Sequence, residues 1–433
     1  TGAATLTADV TLTGTTVNFQ NTVDGTTAGM EGLTITGNAD LDGIVGGTQS
    51  LKALSVSGTT ALGANVTATT IDLDDGNSAG TILTGNVELN ATDIDVEGDV
   101  SGNFRLTLDG MSSVNVEGEV STENLTTEKA ATIGTVNIAG NLVVSGGQLT
   151  VDAGGVTVGG TSSLGANIQS TGNTQTYTGA ATLTADVTLT GTTVNFQNTV
   201  DGTTAGMEGL TITGNADLDG IVGGTQSLKL LSVSGTTALS ANVATGDTQT
   251  YMGAATLTAD VTLTGTTVNF QSTVDGTTAG IEGLTITGNA DFDGIVGGTD
   301  SLKLLSVSGT TALGANVTTG TTQTYTGAAT VDSVGALNLT GTTVTFGSTL
   351  TGNNQDLTVT GNGTFGSTVS AVTTFQVTGD ASLGGNVTAT TIDLDDSNGV
   401  VITGDVELAA VTIDIASGVS GGFTLTLDGM SSV

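Results

Sequence analysis

The sequence predicts an all-β chain wound as a parallel β-solenoid, with rungs of roughly 18–25 residues. Three observations predict it. Apolar residues alternate strictly with Thr or Ser in short runs, as in Val10-Thr11-Leu12-Thr13 and Leu33-Thr34-Ile35-Thr36. Gly closes those runs, at Gly14, Gly37, Gly58, Gly361 and Gly379. The runs recur about every 20 residues inside a longer repeat of 74.

Alternation with period two is a strand that buries one face and wets the other. Gly directly after it supplies the backbone freedom for a corner. A second short strand such as residues 60–66, followed by a return, completes one coil. Hairpin signals are poor and no segment suits a Greek-key crossover, which disfavours a row of sandwiches. Stacked coils rise about 4.8 Å each and put Thr over Thr outside and Val, Leu or Ile over their like inside. Right-handed winding is the commoner outcome for such coils. A narrow interior is expected to accept only modest side chains, in keeping with 3% aromatic residues.

The whole chain, 1–433, reads as one continuous solenoid slice of a longer repetitive protein. Higher-order units lie near 1–66, 178–251, 252–325 and 326–387, and a second unit at 65–114 returns at 386–433. Units 178–251 and 252–325 differ at only eight of 74 positions, among them Met207/Ile281 and Leu218/Phe292. Residues 117–130 break the rhythm and are expected to form a loop or an irregular rung.

Composition excludes much chemistry. The 433 residues contain no His, Cys, Trp or Pro, and 5 Lys plus Arg against 41 Asp plus Glu, a formal charge of −36. Ser-His-Asp triads, Cys nucleophiles and N/S zinc sites are therefore out of reach. Nucleic acid and anionic membrane would be repelled, and no run approaches the ~18 apolar residues of a membrane helix. The chain is expected to be no enzyme: its paired carboxylates recur almost unchanged, whereas glycoside hydrolysis needs a unique cleft.

Calcium is the one cofactor the sequence points to. Asn38, Asp40 and Asp42 place oxygen ligands at every second position before Gly43, and recur as Asn215, Asp217, Asp219 and Asn289, Asp291, Asp293. The distal Glu of an EF-hand is missing, since its place is Gln49, and alternation alone would also set these side chains outside as solvated polar groups. A second cluster, Asp72, Asp74 and Asp75, repeats as Asp393, Asp395 and Asp396. Like charges stacked so closely repel unless a cation or proton intervenes, although a charged edge also keeps a β-rod soluble. Lys52, Lys229 and Lys303 precede equivalent strands and are expected to pair with an acid on an adjacent rung or a neighbouring molecule. Tyr177, Tyr251 and Tyr325 are equivalent positions 74 residues apart and read as parts of the repeat. Asn-x-Thr sequons, such as those at Asn65, Asn124 and Asn316, are frequent because both residues are.

The segments LTITGNADLDG, LSVSGTTALGANV and VTLTGTTVNFQNTV resemble the strand repeats of filamentous-haemagglutinin-like exoproteins and other giant repetitive bacterial surface proteins. The resemblance covers nearly the whole chain. It implies a secreted or surface-attached right-handed β-helical fibre used in adhesion, aggregation or biofilm. The function expected is thus an extracellular structural fibre or adhesin stalk that associates with itself end to end or laterally and meets a host or neighbouring-cell surface. The alternative is a calcium-binding surface-layer or biofilm-matrix protein. Ice binding through Thr-x-Thr ladders is a third reading, against which Asp9 interrupts the array.

Overall fold

The computed structural model describes residues 2–73, 80–394, 399–415 and 418–432. Among them there are strands and no helix, and the strands pair in parallel to form a β-solenoid whose coils average about 19 residues. The chain divides into two units, Thr1–Asn215 and Ala216–Val433.

Three parallel ladders run through each unit, so every coil has three faces. In the first unit, one ladder stacks Val23, Val45 and Val66. A second stacks Leu33, Leu54, Ile71 and Ile94, and a third stacks Ala39, Thr60 and Thr81. The inward member of each pair is almost wholly buried and its neighbours point to solvent, as period-two alternation requires. Thr60, Thr81, Thr237 and Thr311 occupy inward positions too; they are β-branched and fill space much as Val does.

The second unit follows the same plan. Its first ladder runs Ile286, Val307, Tyr325, Phe346, Phe365 and Leu383. Its second runs Tyr251, Phe270, Phe292 and Leu313, and its third Val274, Val296, Val317 and Leu339. From Tyr251 to Tyr325 the chain passes eleven strand segments, three turns and two-thirds. The 74-residue repeat is therefore not a whole number of turns. Equivalent tyrosines lie on different faces of this unit.

The interior corrects one expectation. Its largest fully buried side chains are not modest ones but Tyr177, Tyr251, Tyr325 and six phenylalanines. They stack coil upon coil, Tyr177 on Phe196 at 4.9 Å and Tyr251 on Phe270 at 4.9 Å, with rings nearly parallel. Parallel in-register pairing sets like above like about 4.8 Å apart, which suits offset ring stacking.

Of the two expectations for residues 117–130, the structure shows the irregular coil and not the loop. Up to Thr127 they belong to strand Val100–Thr127, which pairs with Ala131–Ile138. The irregularity is a register shift between Val116 and Glu119, taken up at Gly118. A Cβ there would lie 2.6 Å from the backbone nitrogen of Asp99, so only glycine lets the two coils close at that corner.

Candidate functional site

Polar side chains at the corners bond mainly to the next coil. The Asn38 Oδ1 accepts the Thr59 N–H at 3.1 Å, and Asn289 accepts that of Thr310 at 2.9 Å. Asn65, Asn316 and Asn386 do the same for Glu88, Asn338 and Glu407. Asn124 takes the N–H of Asn141, whose own Oδ1 takes that of Thr161. Asn recurs at these corners because its short amide reaches a backbone donor that the turn leaves unpaired. Several sequon asparagines are thus parts of the stack.

The first candidate calcium constellation is spread among such duties. Asp40 receives the Asn18 amide at 2.6 Å from the preceding coil, while Asp42 is exposed. Asp219 accepts the Ser240 hydroxyl at 3.2 Å, and Asn215 is exposed. Asp217 and Asp291 are half-buried. Burial raises both carboxyls above their ordinary value, helped by Asp219 in one case and by Asp293 and Asp332 in the other. In the second cluster, Asp72 stands in register with Asp95, and Asp393 with Asp414. Asp95 and Asp414 lie outside the runs that drew attention to this cluster, and only coil stacking brings them in. Asn115 and Gln376 donate amides to Asp95 and Asp393, both at 3.0 Å. Asp74, Asp75, Asp395 and Asp396 lie outside the described residues. Among the described residues, no group of three or more acidic side chains converges closely enough to hold a metal ion.

Lys52 reaches not the adjacent coil but the one beyond it, meeting Asp9 at 3.0 Å across 43 residues. Lys303 meets Asp260 at 3.2 Å in the same way. The bridged coil supplies Gly32 or Gly283, whose N–H binds the other carboxylate oxygen at 2.9 and 2.8 Å. That N–H first, and the lysine second, hold Asp9 and Asp260 below the ordinary carboxylate range. Since Lys303 and Asp260 are 43% and 64% exposed, Lys303→Ala is expected to cost at most about 1 kcal/mol, and less in high salt. Asp260→Ala is expected to cost about 1–3 kcal/mol, because it strands the buried Gly283 N–H. Urea denaturation of the two variants checks the order; equal losses would contradict it.

Two motifs escaped the sequence reading. Glu31, Glu208 and Glu282 are the buried acids of the recurring TTAGMEG or TTAGIEG loop. Each carboxylate folds back on its own loop: Glu282 accepts the Thr277 hydroxyl at 2.7 Å and the Thr278 N–H at 3.3 Å. The Thr26 and Thr203 hydroxyls hold Glu31 and Glu208 below 4.5, and for Glu282 the same bonds outweigh the burial that pushes it up. A carboxylate depressed in the fold adds stability above its unfolded pKa and loses it as pH falls through the folded value. These loops are expected to loosen below about pH 4, and Glu282→Gln to abolish that transition in its own loop. Amide hydrogen exchange at Thr278 and Gly280 reads the change. Retained protection at low pH in the unsubstituted protein would refute it.

The second is the glutamine of TQTY, a segment whose tyrosines the sequence marked only as parts of the repeat. Gln175, Gln249 and Gln323 are fully buried, and each accepts the hydroxyl of the tyrosine two residues on, at 2.7, 3.0 and 2.9 Å. Gln323 also donates to the carbonyls of Val317 and Thr340 at 3.1 and 2.8 Å. Gln shares the parity of Tyr in the strand, so period two alone places it inside. No protein-family model, no curated protein and no solved structure matches this chain.

Proposed function

We propose that this chain is a structural segment of an extracellular fibre or adhesin stalk of the filamentous-haemagglutinin-like kind. The observation that carries the reading is where the polar chemistry goes. Many of the Asn, Asp, Glu and Gln side chains that a catalyst or receptor would present to a ligand are bonded instead to backbone or side chains of their own or a neighbouring coil. Such a stack gains stability from each added neighbour and suits a load-bearing spacer. A high negative charge keeps it soluble and away from nucleic acid and anionic membrane, which fits a place at the cell exterior. Catalysis has no part in this reading.

The register pairs Asp72–Asp95 and Asp393–Asp414 favour one second reading, a matrix protein in which calcium relieves stacked carboxylates. Electron cryomicroscopy of the native material with and without EDTA separates the two. Thin fibres with a ~4.8 Å axial spacing that survive EDTA support the structural reading. Fibres that fall apart favour the calcium matrix, and discrete globules in both conditions sink the fibre.

A further inference from the structure

We infer that the first face of the Ala216–Val433 unit is the surface through which two copies of this chain associate side by side. This rests on the fibre reading and names the face that joins its strands. On that face Thr262 stands in register with Thr285, Thr285 with Ser306, Ser306 with Thr324 and Thr324 with Thr345. The outward column continues to Ser382, two coils further, then to Val401 and Ser420. None of its strand segments from Val261 to Ser420 contains an acidic or basic residue.

The other two faces of the unit differ. The second carries Asp291 outward between Asn269 and Ala312, and Asp428 beside Ala409. The third carries Asp275 beside Thr256, and Asp393 with Asp414. In a chain of charge −36, copies that approach by those faces meet carboxylate with carboxylate. The first face alone has strands without a charged residue over nine coils; Asp260, Lys303 and Asp380 stand at its corners, and the first two are paired with each other.

Why a second copy rather than a smaller ligand? The hydroxyl spacing is set by strand pairing at about 4.8 Å, and an identical ladder repeats with the identical period. Two such faces stay in step along their whole length, which no partner of another period does. Thr and Ser are short and lose little side-chain entropy when they interdigitate, and such ladders form dry zippers where like stacks on like. Val401, 42% exposed in the outward column near one end of the face, adds apolar area to cover. Nine ranks give a strip about 38 Å by 10 Å, roughly 380 Å² per copy, about half a standard interface. The pairing is therefore weak for one pair of units. Salt should strengthen it by screening the acidic faces.

The test is sedimentation velocity over a concentration series at low and high salt. It compares the unsubstituted chain with Ser306→Asp/Thr345→Asp on the face and Thr330→Asp/Thr351→Asp on the second face. Both variants add the same charge at outward positions of the kind Asp291 already occupies. The expected result is salt-promoted dimers for the unsubstituted chain and the second-face variant, and association at least tenfold weaker for the first-face variant. A second measurement does not depend on the charged variants folding. The chain has no cysteine, so Ser306→Cys should form disulfide-linked dimers on oxidation and Thr330→Cys should not. Equal association of both charged variants, or equal cross-linking of both cysteines, overturns the assignment while the fibre stands. A monomer under every condition overturns both. A monomer with thermal hysteresis that the first-face variant loses gives the face to ice and overturns the pairing.

Discussion

Gly288→Ala is expected to destabilise the Ala216–Val433 unit by about 3 kcal/mol or more, the largest loss for the removal of no contact at all. Strand Val261–Phe270 and strand Leu284–Phe292 turn the same corner without a loop, and Gly265 and Thr266 on one oppose Gly288 on the other. This is a bulge, and it bends the coil. Gly288 adopts φ 132°, where a side chain is strained, and a Cβ would overlap the carbonyl oxygen of Gly265 on the coil beneath. The atoms it would meet, of Gly265 and Thr266, are all backbone, so no flexible side chain is there to yield. Gly280→Ala is the matched control: φ is 78°, also left-handed, but nothing lies within 4 Å of the added carbon. Only the conformational cost of about 1–2 kcal/mol should appear there. Urea unfolding followed by far-ultraviolet circular dichroism gives both numbers. Equal losses would mean that the corner relaxes and that the overlap is harmless.

Phe346→Ala is expected to cost about 3–5 kcal/mol. Phe346 is 1% exposed and lies between Tyr325 at 5.0 Å and Phe365 at 5.5 Å, inside a coil whose three walls are ladders. A void there cannot collapse without breaking backbone pairing on at least one face, so the cavity should persist with its full penalty. The stack also holds the polar group beneath it. Tyr325 gives its hydroxyl to Gln323, and Tyr325→Phe, which keeps the ring, should still cost about 1–3 kcal/mol by leaving the buried Gln323 oxygen without its donor. The near-ultraviolet tyrosine signal should fade in Phe346→Ala before far-ultraviolet signal is lost. A variant as stable as its parent would show that the interior repacks freely.

The two losses come from features that sequence reading reached to different depths. Alternation of apolar and hydroxyl residues, glycine after each run and the 74-residue repeat were enough to predict stacked parallel coils, because each is a local consequence of strand geometry. The same parity rule places Gln323 and Tyr325 inside together, although buried glutamine runs against the usual preference and was passed over. Gly288 could be read as a corner. That it faces Gly265 depends on a coil 23 residues away in register.

Site residues divide in the same way. Asn38, Asp40 and Asp42 make a local pattern suited to an ion, yet Asn38 caps Thr59 and Asp40 holds Asn18, partners that are remote in sequence and adjacent only after winding. Asp72 gained Asp95 for the same reason, and Lys52 gained Asp9 from two coils away.

By itself, then, the sequence determined the class of fold, the period of the repeat, the inward and outward parity of each strand and the absence of histidine, cysteine and cationic chemistry. All of these are set by residue type and spacing along one coil. Which residues stand above one another was decided by the tertiary structure alone. Turns vary in length, and their running sum sets the face on which each copy of a motif emerges. Eleven strand segments per 74-residue repeat carry Tyr251 and Tyr325 to different faces, and the same winding gathers strands without a charged residue on one face of the second unit.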